Sequence, residues 1–203
     1  MSRQTFLAGT VLTLALAGFA ATAQVKPAAA PSASAANQYS VDDVHSCALF
    51  RVQHFGAGQF WGRINGVSGT FTLADDAAKC AFSVDVAVDS IDTSNEKLDG
   101  HLKSPDFFNA AEFPTMTFRS TSAKKTASGM LEVAGAFTLH GVTKPITAMI
   151  EVTGQAEDGA RGGAEAIFTI KRSEFGMNYG VEKGALGDSV RVVVNLEGVK
   201  AKG

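Results

Sequence analysis

The stretch Cys80-Ala81-Phe82-Ser83-Val84-Asp85-Val86-Ala87-Val88-Asp89 decides the fold class. Side chains alternate across a pleated strand, so Cys80, Phe82, Val84, Val86 and Val88 share one apolar face, while Ala81, Ser83, Asp85, Ala87 and Asp89 share the other. The same period of two appears earlier in Ala48, Phe50, Val52 and His54. It returns in Leu131-Val133-Gly135-Phe137-Leu139, in Ile146-Ala148-Ile150-Val152 and in Val190-Val192-Val194-Leu196. Between these runs stand residues that reach turn conformations cheaply: Asn65-Gly66, Ala74-Asp75-Asp76, Ser128-Gly129, His140-Gly141 and Glu157-Asp158-Gly159. About eight antiparallel strands, each apolar on one side, close into a barrel or fold into a sandwich, so an all-β domain is expected. The rhythm breaks between Ser94 and Asn109, where Asn95 to Leu102 has helical spacing; one or two short helices are expected near 94–109, over a barrel end.

The chain ends have a different composition. Met-Ser-Arg is followed by an uncharged apolar run from Thr5 to Ala20 and by Ala21-Thr22-Ala23, which reads as a signal peptide over 1–23 cut before Gln24. The run is shorter than a membrane-spanning helix requires, and no Cys lies beside the cut to carry a lipoprotein anchor. Residues 24–38 are mostly Ala, Pro and Ser, a flexible leader with too little apolar bulk to offset the entropy of ordering it. One domain is expected over 39–198, with a tail over 199–203. Hydrophobic residues at 45% and charged residues at 19% suit a chain with a core. A net charge of −2, with Lys171, Lys183, Lys200 and Lys202 scattered, disfavours nucleic acid as a partner, which requires a broad basic surface.

An antiparallel barrel of about eight strands has room for its own side chains or for one slender ligand. The inward rows mix Phe with Gly and Ala, so a packed core and a channel both remain open on periodicity alone. If there is a channel, alternation places Phe50, Val52, Phe82, Val84, Val86, Met116, Phe118, Phe137, Phe168 and Val192 around one continuous cavity.

Several stretches carry a family resemblance. Tyr39-Ser40-Val41-Asp42, His45-Ser46 and Phe50-Arg51-Val52-Gln53-His54 open it, followed by Gly66-Val67-Ser68-Gly69-Thr70-Phe71. Ser90-Ile91-Asp92-Thr93, the segment from His101 to Ala110, and Phe113-Pro114-Thr115-Met116-Thr117-Phe118-Arg119-Ser120-Thr121 come next. Gly135 to Pro145 and Lys171-Arg172-Ser173-Glu174-Phe175-Gly176-Met177 complete the set. In order and spacing this resembles the YceI-like family over nearly all of Tyr39 to Leu196. The resemblance implies a lipocalin-like barrel secreted to the periplasm, with an elongated apolar channel for a polyprenyl chain, a polyprenyl quinone or a fatty amphiphile, and no catalytic residues. Cys47 and Cys80 depart from the family's pattern.

Chemistry weighs the same way. There is no Gly-x-Ser-x-Gly elbow and no His-Glu-x-x-His pair, and His45 and His54 are an odd number of residues apart, on opposite faces of a regular strand. Neither a catalytic set nor a metal site is therefore expected, and no cofactor beyond a bound lipid or quinone. A polar head group needs hydrogen bonds while its tail is buried, which nominates Arg51, His101, His140, Arg172, Asn178 and Tyr179 for a polar mouth. Arg172 has a structural alternative as partner of an Asp or Glu. Trp61, Phe107 and Phe108 are candidate gates, with loop or helix anchoring as the alternative. Each buried CH₂ contributes about 0.8 kcal/mol, so an isoprenoid of several units exceeds what micromolar binding needs even after its ordering cost. Two cysteines in an exported chain are expected to pair, Cys47 with Cys80, at a barrel end where the strands bend; two buried free thiols are the alternative. A lipid carrier is the leading function, against an enzyme of lipid metabolism using the same cavity and a ligand-free structural or stress-response barrel. Transient membrane contact and a homodimer stay open as partnerships.

Overall fold

The computed structural model describes residues 38–201. The signal peptide expected over 1–23, the leader as far as residue 37, and residues 202–203 lie outside that range. Eight strands run up and down in chain order. β1 comprises Gln38–Val41 and Cys47–His54, β2 comprises Gly58–Ile64 and Val67–Thr72, and β3 comprises Ala81–Ala87 and Ile91–Asp92. β4 is Thr115–Lys125, β5 Leu131–Leu139, β6 Val142–Gln155, β7 Arg161–Lys171 and β8 Leu186–Lys200. Each pairs antiparallel with the next, and β8 pairs back with β1, so the sheet closes into an all-β barrel and leaves no free edge. The expected tail begins too early: Val199 and Lys200 continue β8, because Ser40 and Tyr39 supply their ladder partners.

The burial pattern follows the alternation seen in the sequence. Leu131, Val133, Gly135, Phe137 and Leu139 are all buried in β5, as are Phe82, Val84 and Val86 in β3. Two members of the expected rows are exposed, His54 at the end of β1 and Val152 in β6, the latter at 44%. The β6–β7 register slips between Gly163 and Ala164; Val152 still pairs with buried Ala164, but it lies beyond Ile150, the last residue of β6 that pairs with β5.

Asn65-Gly66, expected as a hairpin turn, is instead a crease inside β2. Gly66 N–H donates to Ser90 Oγ at 2.7 Å, Asn65 N–H donates to the Ser90 carbonyl at 3.1 Å, and a Cβ on Gly66 would meet Ser90 Oγ at 3.0 Å. The first hairpin turns at Phe55-Gly56, both in the left-handed region with φ of 47° and 65°. His140-Gly141 behaves as expected, with φ of 51° and 73° joining β5 to β6.

The single α-helix among the described residues, α1 (Glu96–Lys103), starts at Asn95, whose side chain accepts from Leu98 N–H at 3.1 Å. It crosses one barrel end and buries Leu102. The opposite end is sealed by aromatic rings. Tyr39 stacks on Phe71 at 5.3 Å between centroids, and Phe71 stacks on Phe82 at 6.2 Å. The stack rests on bare backbone, since a Cβ at Gly198 would lie 2.7 Å from the Phe71 ring and one at Gly162 would lie 2.9 Å from Tyr39.

Candidate functional site: an apolar cavity with one sealed end

Between the sealed end and α1 the barrel holds two adjoining cavities of about 120 Å³ and about 50 Å³. Phe50, Val52 and Val192 line the larger, nearer α1; Phe82, Val84 and Phe118 line the smaller; Val86, Met116, Phe137 and Phe168 border both. All ten residues expected to face a cavity do so, but the space is two lobes rather than one channel. Phe137 and Met116 stand between them, with Phe137 braced edge-on against Phe168 at 5.5 Å and Phe175 at 5.6 Å. Glycine again sets where the rings lie: a Cβ at Gly135 would come within 2.5 Å of Phe118, and one at Gly62 within 2.1 Å of Phe50.

The gate residues separate into two groups. Phe107 and Phe108 both line the larger cavity under α1, and Phe108 meets Phe50 edge-on at 6.4 Å. Trp61 does not gate anything. It lies on the outer wall at 48% exposure, because inward Phe60 and Gly62 flank it in β2.

Of the six mouth candidates, Arg172 alone lines the cavity. It is 4% exposed, and its guanidinium donates to three carbonyls: Nε to Gly187 at 2.9 Å, Nη1 to Met177 at 3.0 Å and Nη2 to Leu186 at 3.3 Å. Among the described residues no carboxylate is within ion-pair distance, so the expected acidic partner is replaced by backbone, that of Met177 in the loop and of Leu186 and Gly187 at the start of β8. Burial lowers its pKa, and the nearby Asp188 charge opposes that shift. Asp188 itself accepts from Ser173 N–H and Ser173 Oγ, both at 2.8 Å.

His101 and Tyr179 meet at the rim, where both rings pack against Phe107 at 5.0 and 4.9 Å, and His101 Nε2 lies 3.1 Å from Asp106 Oδ2. His140 bonds the Phe175 carbonyl through Nδ1 at 3.1 Å, so that nitrogen carries the proton; its buried Nε2 has no partner and its ring faces Phe113. His140 therefore ties two rim loops together rather than lining the cavity. Asn178 is exposed, and its carbonyl receives Val181 N–H. Arg51 is not at the mouth: it points outward from β1 with its guanidinium 5.7 Å from the Trp61 ring.

Sequence reasoning missed Leu102, Leu139, Ile170, Met177, Leu186 and Val190 around the larger cavity, and Ala148, Ile150, Ala164 and Ala166 around the smaller. Parity with the named residues marks Ile170, Val190, Ala164 and Ala166. Met177 and Leu186 sit in or at the end of the loop and carry no such signal.

The expected bridge between Cys47 and Cys80 is not formed; both thiols are free. Cys47 stands outside the inward row of β1, opposite Asn195 of β8, whereas Cys80 is buried before β3 at the sealed end and donates from Sγ to the Ala74 carbonyl at 3.4 Å. Burial raises the Cys80 pKa, which keeps it a neutral thiol. The sequence also gave no hint of Asp42, His45 and Glu197, whose ligand-type atoms lie within 4.8 Å of one another beside the break in β1. Arg161 Nη1 already donates to Asp42 at 3.0 Å and to Glu197 at 2.5 Å, taking the position a cation would hold. With His45 as the larger contributor and Arg161 next, these donors hold the Asp42 carboxyl down at about 2.

The YceI-like domain matches residues 39–198, the whole barrel. The chain belongs to the YceI-like family. UPF0312 protein YE1254 of Yersinia enterocolitica is 39% identical over 174 residues, covering 82% of this chain and 88% of that protein. Among solved structures, Burkholderia cenocepacia BcnA superposes with a TM-score of 0.70 at 22% identity, covering 78% of this chain and 99% of that one. A polyisoprenoid binding domain from Saccharophagus degradans, implicated in plant cell wall breakdown, superposes with a TM-score of 0.65 at 15% identity, covering 80% of this chain and 98% of that one. At those identities the two structures establish a shared barrel architecture.

Proposed function

We propose that this YceI-like barrel is a periplasmic carrier that holds a long isoprenoid, a polyprenyl quinone or another amphiphilic lipid chain in its interior, and that it performs no chemistry on it. The carrying observation is the cavity wall: apart from Arg172 and Thr117, its lining consists of apolar side chains, and each Arg172 nitrogen already donates to a backbone carbonyl. No nucleophile and base line it together, and a long chain in such a wall is held by apolar burial alone. The description of the Saccharophagus domain as polyisoprenoid binding supports the same ligand class.

The larger lobe approaches the size of a small aromatic molecule and the smaller falls well short of it, so neither admits a lipid as it stands. Loading therefore requires Phe137 and Met116 to swing aside and join them, and Met is well suited to that by its flexible thioether. Phe137→Glu should abolish uptake of a fluorescent polyprenyl analogue, while Phe137→Ala should preserve it. Uptake by a folded Phe137→Glu variant would overturn the cavity assignment. Native mass spectrometry of protein from its own host separates the alternatives: a co-purifying lipid returned unchanged supports a carrier, a converted lipid supports an enzyme, and persistent emptiness supports a structural barrel. Export is tested by sequencing the N-terminus of the periplasmic protein, which should begin at Gln24.

A further inference from the structure

The outer wall of the β8–β1–β2 region is built against its own stability. Arg191 of β8 lies directly opposite Arg51 of β1, and Arg51 directly opposite Trp61 of β2, so two cations and an exposed indole form one cross-strand row. Like charges facing each other across antiparallel strands repel. Arg63 extends the row from the next outward position of β2, and Lys171 follows on β7, where its neighbour Thr169 faces Arg191. None of these four cations is in an ion pair among the described residues. The carboxylate opposite Arg63, Asp92, already accepts from Ser94 N–H at 2.9 Å. This positive wall stands on a chain whose net charge is −2.

The same hairpin ends in Phe55, which is 69% exposed and fixed in a left-handed conformation while its N–H donates to the Ala185 carbonyl at 2.8 Å. A cationic wall that carries an indole, ending in an exposed ring, suits a bilayer with anionic headgroups: the arginines meet phosphates, Trp61 takes the interfacial level and Phe55 reaches the acyl boundary. Exposed cations alone would serve any polyanion; the two exposed rings are what favour a lipid surface.

We propose that the β8–β1–β2 wall, with the Phe55 tip, docks the barrel on an anionic lipid bilayer. The inference rests on the carrier reading above. Phe50 and Val52 line the cavity from the inner face of the strand whose outer face carries Arg51, so docking brings the bilayer within one strand of the ligand space and sets the rim beside it.

Trp61 is the chain's one Trp, so its emission reports this wall directly. The full chain should co-sediment with vesicles of phosphatidylcholine plus phosphatidylglycerol, with a blue shift of Trp61 emission, and not with phosphatidylcholine alone. Binding should fall away at about 1 M salt, where the screening length is about 3 Å. R51E/R191E, which alters two outward-facing side chains, Arg191 exposed and Arg51 half-buried, should weaken binding more than about tenfold with circular dichroism unchanged. K125E/K200E, which makes the same change of net charge at the sealed end, should bind as the parent does. Equal binding by R51E/R191E, vesicle binding without a Trp61 shift, or an equal shift on adding single-stranded DNA would overturn the proposal. Phe137→Glu, which leaves the outer wall unchanged, should still dock, and two outcomes keep the readings apart: vesicle docking by a parent chain that takes up no lipid overturns the carrier alone, and lipid uptake by a parent chain that does not dock overturns this inference alone.

Discussion

The two ends of the barrel are closed by different physics. At the sealed end the Tyr39, Phe71 and Phe82 rings lie on the backbone at Gly162 and Gly198, all within strands, so opening it means separating the sheet. At the other end the cover is α1, the Phe107-Phe108 pair and the 176–185 loop, which Arg172 ties to the start of β8 through hydrogen bonds to the Met177, Leu186 and Gly187 carbonyls. A cover held by a few local bonds opens at far lower cost than a ladder. The contrast makes the helix end the easier of the two to open and the ring-stacked end the more rigid.

The largest test is Arg172→Ala, which strips partners from three carbonyls and leaves a void. A loss of about 3 kcal/mol is expected in urea unfolding, with faster amide exchange concentrated over 177–187. Loss of protection spread evenly over the strands would break the contrast.

Next comes Gly198→Val, whose side chain must displace Phe71 and Tyr39. A loss of about 1–3 kcal/mol is expected, with the rate of lipid uptake unchanged; an altered rate would mean that ligand also passes the ring-stacked end.

Phe108→Ala sharpens the other side. It is only half-buried, so a loss of about 2 kcal/mol is expected, together with severalfold faster uptake in stopped-flow fluorescence. Slower uptake would make Phe108 a binding surface rather than part of the cover.

The smallest effect belongs to the Asp42, His45 and Arg161 clasp. The Asp42 carboxyl sits at about 2 instead of 3.8, so the stability it contributes is complete above about pH 4 and is lost as pH falls from there toward 2. Comparing urea midpoints between pH 5 and 2, Asp42→Asn should show a shallower acid decline than the parent; identical slopes would remove the clasp from the account.

The legible parts of this molecule are those where a period of two runs without interruption. The rows Phe82-Val84-Val86, Leu131 to Leu139 and Val190 to Leu196 point where their alternation says, because a closed sheet lets every strand keep one buried face. Asn65-Gly66 misled because a glycine admitting the Ser90 hydroxyl in a crease looks the same in sequence as one that turns the chain. The mouth was read least well. Arg51 and Trp61 are near inward residues in sequence, yet one position of parity places them outside. The Arg172 role depends on carbonyls of Met177 in a loop and of Leu186 and Gly187 in the irregular start of β8, where there is no unbroken periodicity to read. The cysteines misled for a similar reason: chain separation and compartment say nothing about which end of a closed barrel a thiol reaches.

Closure of the barrel has one more consequence. Tyr39 pairs with Lys200 in a single ladder, and Ala201 N–H donates to the Gln38 carbonyl at 3.0 Å, so the barrel's first and last residues are neighbours at the ring-stacked end. A short linker can therefore join them, and new termini can be opened in the Glu157-Asp158-Gly159 turn at that same end, giving a circular permutant with the opposite rim intact.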